Sequence, residues 1–145
     1  MQIEIRQLRE EDIEPLAELE ARSFSMPWSA KSFRDLLANP YCFYFVALVQ
    51  GRIVGGAGYT ELCGEANIDN VVVDEAYRGR GIGQALVRKL LDMGWARQLK
   101  AFTLEVRVSN RAAIHIYEKA GFQCEGIRPG FYEKPREDAM IMWKK

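Results

Sequence analysis

Asn70 to Gly94 reads NVVVDEAYRGRGIGQALVRKLLDMG, and its reading decides how the rest of the 145-residue chain is organised. It opens on the β-branched run Val71, Val72 and Val73, passes through Arg78-Gly79-Arg80-Gly81-Ile82-Gly83, and becomes apolar at Leu86, Val87, Leu90 and Leu91. The order is strand, glycine loop, helix. A helix that starts directly after such a loop presents unpaired N–H groups and the positive end of its dipole, so the loop reads as an anion seat. Glycines at alternate positions remove side chains that would keep a phosphate from the backbone, and the interleaved arginines add positive charge. The expected ligand carries phosphates. A dinucleotide fingerprint counted from Gly79 needs a third glycine where Gln84 stands, and counted from Gly81 it needs one where Leu86 stands. A P-loop needs Gly-Lys-Ser/Thr, and the first lysine after these glycines is Lys89, well inside the helix. A plain connecting turn stays open as the alternative.

Working outward, Ile3 and Ile5 alternate with polar neighbours as a short first strand, and Glu10 to Ser23 reads as a helix burying Ile13, Leu16 and Leu19. Ser29 is placed to cap a second helix, Ala30 to Ala38, with Phe33, Leu36 and Leu37 as its core face and Asn39-Pro40 as its stop. Met26 and Trp28, beside Pro27, either line a substrate groove or close a core edge. Phe43–Val49 and Ile53–Leu62 are strands joined by the hairpin Gln50-Gly51-Arg52, and a second turn at Cys63-Gly64-Glu65 leads into a strand from Ala66 to Asp74. This meander is antiparallel. Gly55, Gly56 and Gly58 mark a bulge, a close backbone approach or a thin edge.

Beyond the glycine-loop helix, Ala101–Arg107 alternates, with Phe102, Leu104 and Val106 on one face and Thr103, Glu105 and Arg107 on the other. Ser109-Asn110 opens a helix from Arg111 to Ala120, stopped by Gly121, in which Tyr117 looks inward and His115, the single histidine, falls on the polar side. A strand over Phe122–Ile127, a loop over Arg128–Glu133 and a last strand over Ala139–Trp143 complete the chain.

Length predicts one domain spanning residues 1–145. Twenty basic and twenty acidic residues give zero formal charge, so no global field favours nucleic acid or an anionic membrane. Three widely spaced cysteines without a Cys-x-x-Cys pair predict reduced thiols, a cytoplasmic setting and no metal site. The charged N-terminus predicts no signal peptide, and no apolar run approaches membrane-spanning length.

The Arg-Gly-Arg-Gly-Ile-Gly loop after a hydrophobic strand resembles the acyl-CoA loop of the GCN5-related N-acetyltransferases, and the element order resembles that superfamily over essentially the whole chain. The resemblance implies an α/β (α+β) fold with a mixed central sheet of about seven strands flanked by about four helices. Within the superfamily, Pro27-Trp28-Ser29, Leu104-Glu105-Val106-Arg107, Ser109-Asn110, Ile116-Tyr117-Glu118-Lys119-Ala120-Gly121-Phe122 and Glu137-Asp138-Ala139-Met140-Ile141-Met142 are similar to a bacterial branch. That branch acetylates the N-terminal alanine of a small-subunit ribosomal protein. By this likeness Glu105 is the general base and Tyr117 the general acid. Val71, Val72 and Val73 take the acetyl and pantetheine arm, Arg78, Gly79, Arg80, Gly81, Ile82, Gly83 and Gln84 the pyrophosphate, and Asn110 the CoA arm. Trp28 and Tyr132 contact the substrate. Relatives often carry two adjacent tyrosines before the last strand, whereas this chain has Phe131-Tyr132, one hydroxyl fewer. The implied co-substrate is acetyl-CoA without a metal, and the implied partner is a protein N-terminus presented to a monomeric enzyme. Acetylation of a lysine or a small amine, or non-catalytic acyl-CoA binding, are the alternatives.

The chemistry is consistent with that likeness. Acyl transfer requires a neutral amine; an α-amino group with pKa about 8 costs roughly 1 kcal/mol to deprotonate at pH 7, against about 4 to 5 for a lysine near 10.4. Glu105 either accepts that proton, directly or through water, or is a strand carboxylate paired with Arg107 or another cation. Tyr117 either protonates a thiolate leaving group, whose conjugate acid has pKa about 8.5, or is a core aromatic.

Overall fold

The alternating and helical periodicities of the sequence resolve, in a computed structural model describing residues 1–145, into one sheet with helices on both faces. The strands are β1 Glu4–Gln7, β2 Cys42–Val49, β3 Arg52–Leu62, β4 Glu65–Val73, β5 Ala101–Arg107, β6 Gln123–Tyr132 and β7 Glu137–Lys144; the helices are α1 Ile13–Ser23, α2 Ala30–Ala38, α3 Ile82–Ala96 and α4 Arg111–Lys119. The sheet order is β1-β2-β3-β4-β5-β7-β6. Every neighbouring pair is antiparallel except β4 and β5, and that parallel pair requires a crossover, which α3 supplies. This is the mixed seven-stranded, four-helix fold that the resemblance implies. No helix is long and apolar enough to cross a membrane.

One face of the sheet packs against α3 and α4. Phe45, Val54, Ala57, Tyr59, Ile68, Phe102, Leu104 and Met142 meet Leu86, Val87, Leu90, Ile114 and Tyr117 there in the larger hydrophobic cluster. The other face packs against α1 and α2, where Ile13, Leu16, Leu19, Phe33 and Leu36 cover Tyr44, Val46, Leu48 and Val72. Leu37, expected in this core, is 41% exposed: it lies in the last turn of α2, beyond the face that Phe33 and Leu36 bury.

Three local differences have physical causes. The helix expected from Glu10 begins with a 3-10 turn, Glu10–Asp12, because Asp12 turns back to accept from the Arg9 N–H at 2.8 Å and from Arg6 at 2.7 Å. Pro15 falls in the first turn of α1, where its missing N–H is harmless. The stretch Arg128–Tyr132, expected as a loop, continues β6, since this is an edge strand and its register skips Pro129 to Phe131 before Tyr132 pairs with Glu137.

The β3 glycines serve a close approach. A Cβ on Gly56 would lie 2.6 Å from the Tyr44 hydroxyl oxygen, and one on Gly58 would strike the Tyr44 ring. A Cβ on Gly55 would lie 3.0 Å from the Val72 carbonyl. β3 is a buried inner strand, so the edge alternative falls away, and Tyr44 lies across it to reach β4.

Candidate active site

β4 and β5 run side by side only from Glu65 opposite Ala101 to Ile68 opposite Leu104, and beyond that point they part. β4 continues to Val73 along β3, and β5 continues to Arg107 along β7. Asp69 has no partner in the β3 register, so a bulge sits where the split begins. The facing edges of Asn70–Val73 and Glu105–Arg107 therefore carry peptide groups with no strand between them. Val71 and Val73 pack into the larger cluster and Val72 into the smaller, so the side chains of this run hold the strand while its backbone edge stays available.

At the end of β4 the Asp74 carboxylate accepts from the Ala76 N–H at 2.9 Å and forms the turn that leads into the glycine loop. Gly79 and Gly81 have φ of 78° and 80°, the left-handed region, which explains glycine at both positions. Gly81 is the N-cap of α3 and offers no side-chain cap; the first helical bond runs from the Ala85 N–H to the Gly81 carbonyl, leaving the Ile82, Gly83 and Gln84 N–H groups ahead of it. Gly83 differs from the other two. It is buried, and a Cβ there would lie 2.9 Å from Ile116 Cδ1, so its small size lets α3 meet α4. Arg78 and Arg80 are exposed beside this terminus, with the Arg80 guanidinium 5.2 Å from the Tyr77 ring centre. Asn110 caps α4, accepting from the Ala113 N–H at 3.2 Å.

Glu105 is the first residue of β5 past the split and is half-buried. It faces α1 and α2, since Leu104 and Val106 face the other way. The pairing with Arg107 that would have made it structural does not occur. Arg107 donates instead to the Pro135 carbonyl at 2.9 Å, the Glu133 carbonyl at 2.8 Å and Glu137 at 3.1 Å, and no cation forms an ion pair with Glu105. These bonds tie the β6–β7 turn to β5, and Glu137, which also accepts from the Ser109 N–H at 2.8 Å, is held below its usual carboxylate range by Ser109 and Arg107.

Tyr117 approaches from the opposite face. It is 6% exposed, edge-on to Phe122, and its hydroxyl is pushed up by burial and by the neighbouring Tyr132. Tyr132 stands in the field of Glu105: burial, the Glu105 charge and the smaller effect of Glu137 push it up to about 12, against the Arg107 guanidinium 4.5 Å from its ring centre. Tyr132 thus neighbours both Tyr117 and Glu105. Tyr117 remains a phenol throughout the physiological range, so it is competent to donate a proton but not to accept one.

Trp28 sits on a groove with Ser32, Asp35, Leu36, Asn39, Cys42, Thr60 and Asp69, running from α2 across the sheet to the bulge. Asp69 accepts from the Thr60 hydroxyl at 2.5 Å; burial and then the Glu105 charge raise its carboxyl, while the Thr60 bond opposes them. His115 is exposed and stands on the outer side of α4.

Sequence reasoning missed a buried network behind the groove. Glu20, 1% exposed, accepts from the Trp28 N–H and from Asn70 Nδ2, both at 3.1 Å, and Asn70 Oδ1 accepts from the Tyr44 hydroxyl at 2.8 Å. Burial pushes the Glu20 carboxyl up against those two donors. The signals were present but weak: a glutamate on the apolar stripe of α1, one turn from Leu16, and an asparagine heading a valine run.

Residues 13–122 match the family model described as acetyltransferase (GNAT) family. A Bacillus subtilis protein is 39% identical over 140 residues, covering 96% of this chain and 93% of its own. The Mycobacterium tuberculosis N-alpha-acetyltransferase RimI is 39% identical over 146 residues, covering 97% and 90%. The Escherichia coli ribosomal protein bS18-alanine N-acetyltransferase is 35% identical over 140 residues, covering 95% and 94%, and its crystal structure superposes with a TM-score of 0.90 over 98% of this chain and 92% of that one. With the split strands, the uncapped helix and these similarities together, the chain belongs to the GNAT family of acetyltransferases.

Proposed function

We propose that this enzyme transfers the acetyl group of acetyl-CoA to the N-terminal α-amine of a protein, and that its target is the N-terminal alanine of a small-subunit ribosomal protein. The observation that carries the reading is the split between β4 and β5, with an unpaired carboxylate, Glu105, at its first open position; a buried phenol, Tyr117, packs under the other face of the sheet. The relatives named for bS18-alanine and Nα-acetylation supply the acceptor class.

The donor's chemistry fits the residues present. Its phosphates match the free N–H groups at the start of α3 and the exposed Arg78 and Arg80, with Gly79 and Gly81 admitting close approach. Its amide-bearing arm matches the open edge of Val71–Val73, which offers backbone donors and acceptors as a strand would. Asn110, at the mouth of α4, keeps its side-chain N–H₂ for the same arm.

Glu105 removes the proton that the α-ammonium carries at neutral pH, a step that costs about 1 kcal/mol for this group. The neutral nitrogen attacks the thioester carbonyl, the C–N bond forms and the C–S bond breaks. Tyr117 donates its proton as the sulfur leaves as the CoA thiol, the second proton that the amide nitrogen sheds restores the Tyr117 hydroxyl, and Glu105 gives up the first proton to solvent. Acid catalysis of this kind is typically worth 10²- to 10⁴-fold. Trp28, on the groove that reaches Asp69, and Tyr132, beside Arg107, contact the first residues of the peptide. Zero net charge supports a protein acceptor over nucleic acid, and the reading carries a monomeric, cytoplasmic enzyme.

Incubation with acetyl-CoA and three panels of amines tests it: peptides with ribosomal N-termini, N-terminally blocked peptides with internal lysines, and small polyamines or aminoglycosides. Turnover is expected on the first panel. Turnover confined to the second or third overturns the reading.

A further inference from the structure

The active-site strands and the acceptor loop are joined by one side chain that the chemistry above does not use. Glu20 lies at the end of α1, 1% exposed, and forms no ion pair. A carboxylate so placed is costly unless its oxygens are satisfied, and here each oxygen takes one neutral donor. Oε1 accepts from the backbone N–H of Trp28, in the loop between α1 and α2. Oε2 accepts from the side chain of Asn70, the β4 residue between the Asp69 bulge and the open edge of Val71–Val73. Asn70 is fixed in turn by the Tyr44 hydroxyl, whose path across β3 is kept clear by Gly56 and Gly58. The loop is otherwise tied only at its two ends, by the Phe24 N–H on the Glu20 carbonyl and by Ser29 capping α2; Phe24 and Met26 are 39% and 55% exposed, and the Trp28 ring rests on Phe33 at 5.5 Å.

We propose that Glu20 is a positioning residue that couples the two substrate sites, transmitting the geometry of the donor strand at Asn70 to the acceptor loop at Trp28. The inference rests on the peptide acceptor proposed above. A ligand seated on the β4 edge holds Asn70 in place; Asn70 holds the Glu20 carboxylate, and the carboxylate holds the Trp28 backbone where a peptide meets it. Coupling of this kind is reciprocal, so CoA tightens the peptide and the peptide tightens CoA by the same factor. An alanine at position 20 serves neither end.

The test measures the dissociation constant of an alanine-initiated ribosomal peptide by calorimetry, without CoA and at saturating CoA, for the wild type, Glu20→Ala and Asn70→Ala. The second variant cuts the link at its other end and keeps the Trp28 bond, so it decides the matter if the first does not fold. In the wild type CoA is expected to tighten the peptide about ten-fold, within the usual range of coupling between sites. In both variants that ratio falls to about one and the peptide KM rises about ten-fold, while kcat and the affinity for CoA alone stay within about two-fold. A wild-type ratio of one overturns the inference, as does a ratio that survives both substitutions, or a parallel loss of CoA and peptide affinity that tracks thermal stability. A wild type that acetylates no N-terminal peptide removes the functional reading itself; one that does so with the ratio intact in the variants removes only the role of Glu20.

Discussion

The two faces of the sheet are built differently. Under α3 and α4 the interior is apolar and continuous, from Phe45 through Leu86 and Leu90 to Met142, and its one buried hydroxyl without a partner is Tyr59. Under α1 and α2 the apolar cluster is half the size and is accompanied by three buried carboxylates, Asp12, Glu20 and Asp74, the last bonded to Arg22 of α1, together with the Tyr44–Asn70 bond. The first face makes a stiff platform for the glycine loop, since packed cores resist deformation. The second trades some of that packing for hydrogen bonds that specify where a loop and a strand edge stand. The proposed chemistry draws on both, with Glu105 from the polar face and Tyr117 from the apolar one.

Removing the chemistry from either side is expected to have the largest effect. Glu105→Gln lowers kcat by about 10³-fold and Tyr117→Phe by about 10²-fold, with acetyl-CoA affinity unchanged in both, as steady-state kinetics beside direct CoA titration will show. Equal loss of CoA affinity would make these residues structural. The apolar face is broken by Leu86→Ala, a fully buried side chain in the first half of α3. Its loss should cost about 3 kcal/mol by denaturant unfolding, enough to lower the melting temperature by about 8 °C.

The polar face responds to pH as the apolar one does not. Burial raises the Asp12 carboxyl, but the Arg6 guanidinium at 2.7 and 3.1 Å and the Arg9 N–H overcome it, and the group is held below its usual value. A carboxyl depressed in the fold contributes stability above its unfolded pKa near 3.9 and loses it as pH falls through the lower folded value. Asp12→Asn should therefore cost about 2 kcal/mol at pH 7, and the difference from wild type should close only below about pH 3.9. Denaturation midpoints at several pH values check this. The smallest effect is expected from Arg107→Lys, which keeps the charge but loses the fork that reaches Glu133, Pro135 and Glu137 together. The peptide KM should rise by about five-fold, or roughly 1 kcal/mol, with the CoA affinity untouched.

Much of this was legible in the sequence, and what was not has a common cause. Strand, glycine loop and helix over Asn70–Gly94 are local patterns, so their periodicity and turn residues could be read directly, as could the alternation that turns Glu105 away from Phe102 and Leu104. The parting of β4 and β5 after Ile68 and Leu104 is a matter of register between distant segments, which no local pattern encodes. For the same reason Glu105 and Arg107, two apart on one face, suggested an ion pair, although Arg107 turns to the β6–β7 turn some thirty residues away. Pro129 and Gly130 promised a loop because breakers usually end strands, yet an edge strand with a skipped register absorbs them. Glu20 and Asn70 gave the least sign, since a single polar residue on an apolar stripe acquires its meaning only from the partner it meets across fifty residues.

The most direct measurement offers the protein one peptide that begins with alanine and carries an internal lysine, together with acetyl-CoA, and maps the modified nitrogen by fragment mass spectrometry. The account predicts acetylation at the α-amine, lost in Glu105→Gln. Acetylation at the lysine, or α-acetylation that Glu105→Gln leaves at full rate, would contradict it.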